Sequence, residues 1–249
     1  MKAMILAAGL GTRLRPLTDD RPKALVEVAG RTLLEITVAR LRDFGVGEVI
    51  VNVHHFADRV VDYLKSHHNF GLRIEVSREY LLLDTGGGLK KAAWFFLEDS
   101  LHLDEPFILH NVDVISTIDL KRMVEIHKQR QALATLAVQA RETSRYLLFD
   151  EQLRLSGRLA GRNQQAEFVQ SSRGLEAEAL AFSGIHVISP RLLGMITEEG
   201  AFSIVSSYLR LAGQGERILG FRADEFYWRD LGKPENLAQA EQDFKNKVL

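Results

Sequence analysis

Residues 4–25 read MILAAGLGTRLRPLTDDRPKAL and form the most informative stretch of the chain. An apolar run opens it, a turn with two glycines follows, and a proline-punctuated loop ends on Lys23. This order predicts a buried strand whose carboxyl end leads into a loop suited to phosphate groups. Gly9 and Gly11 let backbone N–H groups approach an anion closely. Arg13 adds a planar fork for phosphate oxygens, and Lys23 adds a mobile point charge.

Two common phosphate-binding loops do not match this stretch. No lysine follows the second glycine as in G-x-x-x-x-G-K-[ST], and Leu14 stands where G-x-G-x-x-G has its last glycine. The plain alternative is a strand followed by a turn. The combination of a strand, G-x-G-T-R and then Pro-Lys resembles the signature of the sugar-1-phosphate nucleotidyltransferase family. That resemblance implies that the loop binds the nucleotide through Leu6, Ala8, Gly9, Gly11 and Thr12.

Composition narrows the class of protein. The chain has 249 residues, and its 46% hydrophobic and 26% charged content is ordinary for a globular protein. A net charge of -1 argues against a nucleic-acid-binding surface, and the lack of cysteine excludes disulfides, thiolate zinc sites and a cysteine nucleophile. No apolar run reaches membrane-spanning length, and the first strand leaves no space for a signal peptide. We therefore expect a cytoplasmic protein without nucleic-acid or membrane partners, with homo-oligomerisation left open.

The first half of the chain alternates between apolar runs and helical patterns. Strands are predicted over residues 2–7, 48–53, 72–76 and 106–110. Helices are predicted from the capping box at residues 32–35, near Phe56, as one helix from about Thr85, and after Asp119. This alternation predicts an α/β fold: a Rossmann-like, mostly parallel sheet with helices on both faces and ligands at the carboxyl ends of its strands.

The second half is less regular and predicts a smaller β-rich lobe. Strands are expected over residues 132–140, 146–149, 153–155, 180–188 and 218–221, and residues 157–174 are expected as loop or edge. Helices are expected over 202–212 and from Pro234. We expect one nucleotidyltransferase domain over residues 1–249. Its nucleotide-binding half covers about 1–130 and its sugar-binding lobe about 131–249, without the C-terminal β-helix domain of longer relatives.

A glycine-rich segment, DTGGGL at residues 84–89, marks the start of a predicted helix. Bare backbone there allows a flat ligand to approach, and the helix dipole favours anions. A flexible start of a helix is the alternative. By resemblance, Gly86, Gly87 and Gly88 bind the base and ribose of the nucleotide.

Two aspartates are candidate magnesium ligands. The run FILHNVDV at residues 107–114 delivers Asp113 to the carboxyl edge of the sheet, where a carboxylate suits Mg²⁺. The alternative is an aspartate that caps the next turn. The family usually carries Gly-Asp here, and Val112 replaces that glycine. The segment YWRDLGKPE at 227–235 by itself indicates the structural start of a helix, but it resembles the family's W-x-D-x-G-x-P-E and implies Asp230 as the second ligand.

The sugar side resembles the family less closely. Tyr146 lies where many relatives have a Tyr-Gly segment, and Glu167 is the nearest counterpart of the family's Glu-Lys pair, but no lysine follows it. The residue that holds the sugar phosphate is therefore left open. For Ser183-Gly184 a strand kink is the alternative to sugar contact. The resemblance implies sugar binding by Asn111, Tyr146, Glu167, Ser183 and Gly184.

The expected reaction is Mg²⁺-dependent nucleotidyl transfer. An oxygen of a sugar 1-phosphate attacks the α-phosphate of an NTP and pyrophosphate leaves, so the protein positions the substrates and neutralises charge. The chain looks most like compact family members that act on N-acetylmuramate 1-phosphate or mannose 1-phosphate, which favours UTP without fixing the base. Arg13 is assigned to the leaving phosphates, Lys23 to the α-phosphate or sugar phosphate, and Asp113 to catalysis as a metal ligand. The alternative is a catalytically inactive nucleotide-sugar-binding sensor or regulatory subunit, which Val112 and the missing lysine motivate.

Overall fold

The computed structural model of the chain describes residues 1–98, 104–160, 163–169 and 176–246. The strands in chain order are β1 (Lys2–Leu6), β2 (Glu27–Val28), β3 (Arg31–Thr32), β4 (Glu48–Val53), β5 (Arg73–Arg78), β6 (Phe107–Asn111), β7 (Val114–Ser116), β8 (Ala134–Gln139), β9 (Tyr146–Phe149), β10 (Leu155–Ala160), β11 (Gln165–Phe168), β12 (Glu178–Ile188), β13 (Ile218–Arg222) and β14 (Trp228–Asp230). The α-helices are α1 (Leu33–Asp43), α2 (Ala57–Ser66), α3 (Asp84–Lys91), α4 (Ala93–Leu97), α5 (Leu120–Gln129), α6 (Ile204–Gly213) and α7 (Pro234–Lys245).

A large sheet unites both halves of the described chain. Its main path runs β11-β10-β9-β12-β6-β1-β4-β5, and β8 pairs with β12 and β13 off this path. Strands β6, β1, β4 and β5 are parallel, whereas β12 runs antiparallel to β6, β8 and β9. Because parallel neighbours end at the same edge, the carboxyl ends of β1 and β6 lie side by side. The predicted α/β architecture with a β-rich lobe is confirmed.

Both faces of the sheet are covered. Along β1, Ala3 and Ile5 belong to one core and Met4 to the other, and all three are fully buried. Helices α1, α2, α5 and α7 supply the first core, while α3, α4 and α6 supply the second. This explains why β1 is an unbroken apolar run. Within the described residues, no helix combines the length and apolarity that crossing a bilayer requires.

The helix starts follow the capping signals in the sequence. The Thr32 hydroxyl accepts a hydrogen bond from the Glu35 N–H at 3.1 Å, and the Asp119 carboxylate accepts one from the Arg122 N–H at 2.9 Å. Pro234 occupies the first turn of α7, where its missing N–H costs nothing. These three predicted helix starts are confirmed.

Two predictions of local structure were wrong in part, and the prediction of loop or edge over residues 157–174 is confirmed for its edge strand. The helix predicted as continuous from about Thr85 is interrupted at Ala92, where φ is -85° and ψ is 0°. Residues expected as loop or edge contain the end of β10 and the edge strand β11, while 161–162 and 170–174 lie outside the described residues. Trp228–Asp230, expected as part of a helix start, is strand β14 and pairs with β7. Three-residue strands carry too little periodicity to be read from sequence.

Candidate active site

The loop after β1 is held rigidly from within. Leu14 is fully buried and anchors the loop in the core. Gly11 has a φ of +67°, and a Cβ atom there would lie 2.9 Å from Cγ2 of Thr18. The Thr18 hydroxyl also donates a hydrogen bond to the Gly11 carbonyl at 2.9 Å. Position 11 therefore requires glycine, for its backbone conformation and for space.

The outer part of the loop is open. Gly9, Thr12 and Arg13 are exposed, and a Cβ atom on Gly9 would have no atom within 4 Å. Leu6 is half-buried and Ala8 is buried beneath the loop. The loop thus presents bare backbone and a guanidinium group at the carboxyl end of β1, as a phosphate-binding loop requires. Nucleotide binding by these residues stays a prediction.

Lys23 and Asp113 form an ion pair at this edge of the sheet. Lys23 opens a short 3-10 turn after the loop, and its Nζ donates to Oδ2 of Asp113, just beyond the end of β6. The side chains are 11% and 16% exposed. The folded chain therefore brings together the positive end of the loop and the first predicted metal ligand.

The second predicted metal ligand lies on the neighbouring strand. Asp230 ends β14 and is paired in register with Val114, the first residue of β7. The Leu231 N–H donates to the Asp113 carbonyl at 2.8 Å. The two aspartates therefore lie at adjacent positions of one antiparallel strand pair, although they are far apart in sequence.

Gly232 links Asp230 to the loop. A Cβ atom built on Gly232 would lie 2.6 Å from Nη2 of Arg13 and 2.7 Å from Oδ1 of Asp230. The Gly232 N–H also donates to that same Oδ1 atom at 2.6 Å. The Arg13 guanidinium and the Asp230 carboxylate therefore converge on one point that only a glycine leaves free.

The donor set suits magnesium completed by a substrate. The described part of the chain contains no cluster of three or more His, Cys, Asp or Glu side chains able to hold a metal. Mg²⁺ is usually held by one or two carboxylates together with substrate phosphates and water, so Asp113 and Asp230 fit this ion better than one that needs a full protein cage. Their role as ligands stays a prediction.

Val112 replaces the usual glycine without obstructing the site. It is 4% exposed and belongs to the core under α1. Its N–H donates to the Leu6 carbonyl at 3.1 Å, which ties the end of β6 to the end of β1. The valine side chain therefore packs inward.

The three glycines of α3 have packing reasons of their own. All three are buried. A Cβ atom on Gly86 would lie 2.2 Å from the Phe202 ring, and one on Gly87 would lie 2.4 Å from the Gly200 carbonyl oxygen. The Gly86 N–H donates to the Phe202 carbonyl at 2.9 Å. Close approach of α3 to residues 200–204 explains two of the glycines, and contact of the glycines with a nucleotide stays a prediction.

A buried polar network beneath the loop was missed from sequence. Oδ1 of Asn52 accepts from the Ala7 N–H at 2.7 Å, and its amide donates to Glu79 at 2.7 Å. Glu79 also accepts from the Leu83 N–H at 2.9 Å. A Cβ atom on Gly88 would lie 2.8 Å from both side chains of the network. The sequence signal for this network was Asn52 itself, a polar residue that interrupts the apolar run of β4.

Three of the predicted sugar-binding residues come together. Gly184 has a φ of +74°, and a Cβ atom there would lie 2.7 Å from Nδ2 of Asn111. Ser183 is fully buried, and its hydroxyl donates to Gln139 at 3.4 Å. The register between β12 and β8 shifts between Phe182 and His186. The strand kink considered as an alternative is therefore present, and sugar contact stays a prediction.

Of the other two, Tyr146 lies near this group and Glu167 is placed apart from it. Tyr146 opens β9 and pairs with Ala181 of β12. Glu167 is exposed on β11, three strands out from β12 or about 14 Å at the usual strand spacing. It pairs with Arg158 at 2.8 Å and borders a surface cavity of about 360 Å³ against α6. The structure does not bring Glu167 to Asn111 and Ser183 in this conformation.

Two arginines at the site were also missed. Arg40 of α1 donates to the Ile118 carbonyl at 2.6 Å and to Ser116, and so holds the end of β7 in place; burial lowers its pKa to about 10. Arg141 follows β8 and stacks on Trp228 with 3.7 Å between Cζ and the ring centroid. Neither has a local sequence signal, because their partners are distant in the chain.

Comparison with known proteins gives one consistent family. The family model described as nucleotidyl transferase matches residues 2–247. An N-acetylmuramate alpha-1-phosphate uridylyltransferase from Caulobacter vibrioides is 34% identical, over 96% of this chain and 95% of that protein. A mannose-1-phosphate guanyltransferase from Yarrowia lipolytica is 30% identical over 95% of this chain, which spans only 62% of that protein. The solved structure of HddC from Yersinia pseudotuberculosis complexed with GMP-PN matches with a TM-score of 0.75 at 23% identity, covering 98% of this chain and 99% of that one.

Proposed function

The chain belongs to the nucleotidyl transferase family, and from this premise we propose that it transfers a nucleotidyl group from an NTP to a sugar 1-phosphate. The main support for the proposal is that two pairs of oppositely charged side chains meet at one edge of the sheet. Lys23 pairs with Asp113, and Arg13 meets Asp230 across Gly232. These two cations and two carboxylates come from three separate segments. Such an arrangement suits a reaction between phosphate groups.

The chemistry needs no nucleophile from the protein. An oxygen of the sugar 1-phosphate forms a bond to the α-phosphorus, the bond from that phosphorus to the bridging oxygen breaks, and pyrophosphate leaves with the electron pair. Gly9 and Gly11 present backbone to the NTP phosphates. Arg13 neutralises charge on the departing pyrophosphate, and Lys23 neutralises charge at the α-phosphate. These residues hold the reacting groups in line and stabilise the charge that develops.

Asp113 and Asp230 would hold Mg²⁺. When bound, the ion supplies charge neutralisation on the phosphate oxygens. Lys23 pairs with the Asp113 carboxylate, so the lysine and the ion would share one ligand. The pairing keeps Asp113 oriented toward the position of the phosphates.

UTP is the proposed nucleotide. The support is that a relative matched over nearly its full length is named a uridylyltransferase, whereas the guanyltransferase is matched over 62% of its length. We propose a cytoplasmic role in making a nucleotide-sugar, of the kind consumed in cell-envelope polysaccharide synthesis. The sugar itself is left to experiment.

The test is pyrophosphate release with Mg²⁺ from UTP, dTTP, GTP, CTP and ATP against a panel of sugar 1-phosphates. The panel includes N-acetylmuramate, mannose and glucose 1-phosphates. We expect release with one preferred pair, and UTP in that pair. If no pair releases pyrophosphate but nucleotide binding is seen in calorimetry, the result would favour the inactive sensor or regulatory subunit. Release with GTP alone would keep the reaction and overturn the choice of UTP.

A further inference from the structure

Arg141 is a partly buried cation at the boundary between the two halves of the site. It lies two residues beyond β8, and its Nη2 donates to the Phe182 carbonyl at 2.8 Å. Its guanidinium lies over the Trp228 ring, with Cζ 3.7 Å from the centroid. The Trp228 indole N–H in turn donates to the Ser183 carbonyl at 2.7 Å. The kink of β12 and the start of β14 thus hold the guanidinium in one plane.

The charge of Arg141 has no direct counterion in the described part of the chain. No described carboxylate lies within 4 Å of it, whereas Arg210 pairs with Glu198 at 2.9 Å and Arg229 with Asp243 at 2.9 Å. Its Nε atom is buried and makes no hydrogen bond to any described residue. An anionic ligand would therefore give this guanidinium the counterion that the described chain does not supply.

The surroundings of Arg141 identify the kind of anion. Trp228 precedes Asp230 by two residues, and the Asp230 carboxylate and Tyr146 act electrostatically on Arg141, opposing the lowering of its pKa by burial. Ser183, which holds Trp228, adjoins Gly184 and through it Asn111. The guanidinium therefore lies between a predicted magnesium ligand and the predicted sugar-binding residues.

We propose that Arg141 binds the phosphate group of the sugar 1-phosphate, the group that attacks the NTP. This inference rests on the proposed function and answers the question left by the missing lysine after Glu167. A planar guanidinium offers two parallel donors to phosphate oxygens, and stacking on Trp228 fixes the plane of the fork before the substrate arrives. Arg141 touches the substrate and contributes by orienting its nucleophilic oxygen.

A kinetic comparison tests this assignment on the substrate pair that the pyrophosphate screen identifies. Arg141→Gln keeps an amide donor for the Phe182 carbonyl but removes the charge. We expect the KM for the sugar 1-phosphate to rise about 10- to 100-fold, with the KM for the NTP changed less than about 2-fold. Arg141→Lys should recover part of the loss. The control Arg217→Gln removes a guanidinium that donates to the Arg130 carbonyl at 3.0 Å, next to β13 at the opposite end of the sheet, and should change neither KM.

Equal changes in both KM values, or no change in either, would overturn the assignment. A purely structural Arg141 would instead lower the melting temperature and affect both substrates alike. If Arg141→Gln does not fold, the fluorescence of the unmodified arginine site decides the question.

Trp228 provides that second readout, because the chain has two tryptophans and the other is Trp94. Trp94 is 50% exposed on α4, so Trp94→Phe leaves a folded protein in which Trp228 is the sole emitter. We expect glucose 1-phosphate, mannose 1-phosphate or inorganic phosphate to change its emission saturably, and the more conservative Arg141→Lys to weaken the response. No response from a protein that releases pyrophosphate overturns the role of Arg141 and leaves nucleotidyl transfer standing. No response from a protein that also releases none removes both proposals.

Discussion

Lys23 donates a hydrogen bond from Nζ to the carboxylate of Asp113, across 90 residues of sequence. Lys23 belongs to the loop that follows β1, and Asp113 lies just beyond the end of the neighbouring strand β6. The pair therefore fixes the loop to the edge of the sheet where the α-phosphate is proposed to react. It also gives the lysine a defined position.

The pair predicts a loss of rate when either partner is removed. Lys23→Ala and Asp113→Asn should each lower kcat about 100-fold or more, because each removes charge stabilisation at the phosphates. Both side chains are mostly buried, so removing one partner leaves the other unpaired and should also lower the melting temperature. Steady-state pyrophosphate release and thermal unfolding measure the two effects. A large drop in melting temperature with normal kcat would make Lys23 structural.

A substitution at Gly9 should affect nucleotide binding without affecting the stability of the fold. A Cβ atom there meets nothing within 4 Å and the backbone conformation is ordinary, so Gly9→Ala should leave the free energy of unfolding within about 0.5 kcal/mol of the starting value. If backbone N–H groups of the loop approach the NTP, the added methyl group should raise the KM for NTP about 10-fold. Gly47→Ala is the matched control, since its Cβ atom is equally unobstructed. An unchanged KM in Gly9→Ala would place the nucleotide elsewhere.

A substitution at Gly86, unlike one at Gly9, should lower the stability of the fold. A Cβ atom on Gly86 would lie 2.2 Å from the Phe202 ring and 3.0 Å from the Ile204 nitrogen, so Gly86→Ala should cost about 1–3 kcal/mol in urea unfolding. In the double variant with Phe202→Ala, the cost should be less than the sum of the single costs, because the clash is relieved. Gly194→Ala, with no atom near its Cβ position, should cost little. Additive costs in the double variant would show that the ring is not what excludes a side chain.

Buried histidines should make the fold sensitive to mild acid. Burial lowers the pKa of His110 and His186 to about 3 and that of His127 to about 4. Each is neutral in the folded state but takes up a proton in the unfolded state below pH 6.5. The stabilising contribution of these neutral histidines is therefore complete above pH 6.5. Below pH 6.5 the free energy of unfolding falls by about 1.4 kcal/mol per histidine for each pH unit.

Urea unfolding at pH 7.0, 6.0 and 5.0 measures this slope above the range where carboxylates titrate. His127→Gln should reduce the slope by about a third and cost some stability at pH 7, because the ring nitrogen lies 3.0 Å from the Thr135 hydroxyl. A slope that His127→Gln does not alter would mean that His127 is protonated in the folded protein.

The elements that were predicted correctly are those whose sequence pattern lies within a few neighbouring residues. The apolar run of β1, the Thr32 cap of α1 and the Asp119 cap of α5 each depend on neighbours within a few residues. Asp113 and Asp230 were found by motif, and the structure places them at adjacent positions of one strand pair. Their proximity could not be derived from spacing, because it depends on the pairing of β7 with β14.

The features that could not be predicted from the sequence share a physical cause. Arg141 acquires its environment from Phe182 and Trp228, and Asn52 from Glu79, so no window along the chain contains the interaction. The glycines of α3 show a related difficulty. A run of glycines has the same appearance whether a ligand or a neighbouring segment requires the space, and only the fold reveals that residues 200–204 fill it.

The sheet edge that carries Lys23, Asp113, Arg13 and Asp230 is proposed to perform nucleotidyl transfer. The most direct measurement is a ³¹P NMR time course with Mg²⁺, UTP and the sugar 1-phosphates of the panel. We expect pyrophosphate and a nucleotide-sugar to appear in equal amounts with one preferred sugar, and Asp113→Asn to slow both signals about 100-fold or more. Pyrophosphate-free spectra with every NTP and sugar, together with no NTP binding in calorimetry, would contradict this proposal.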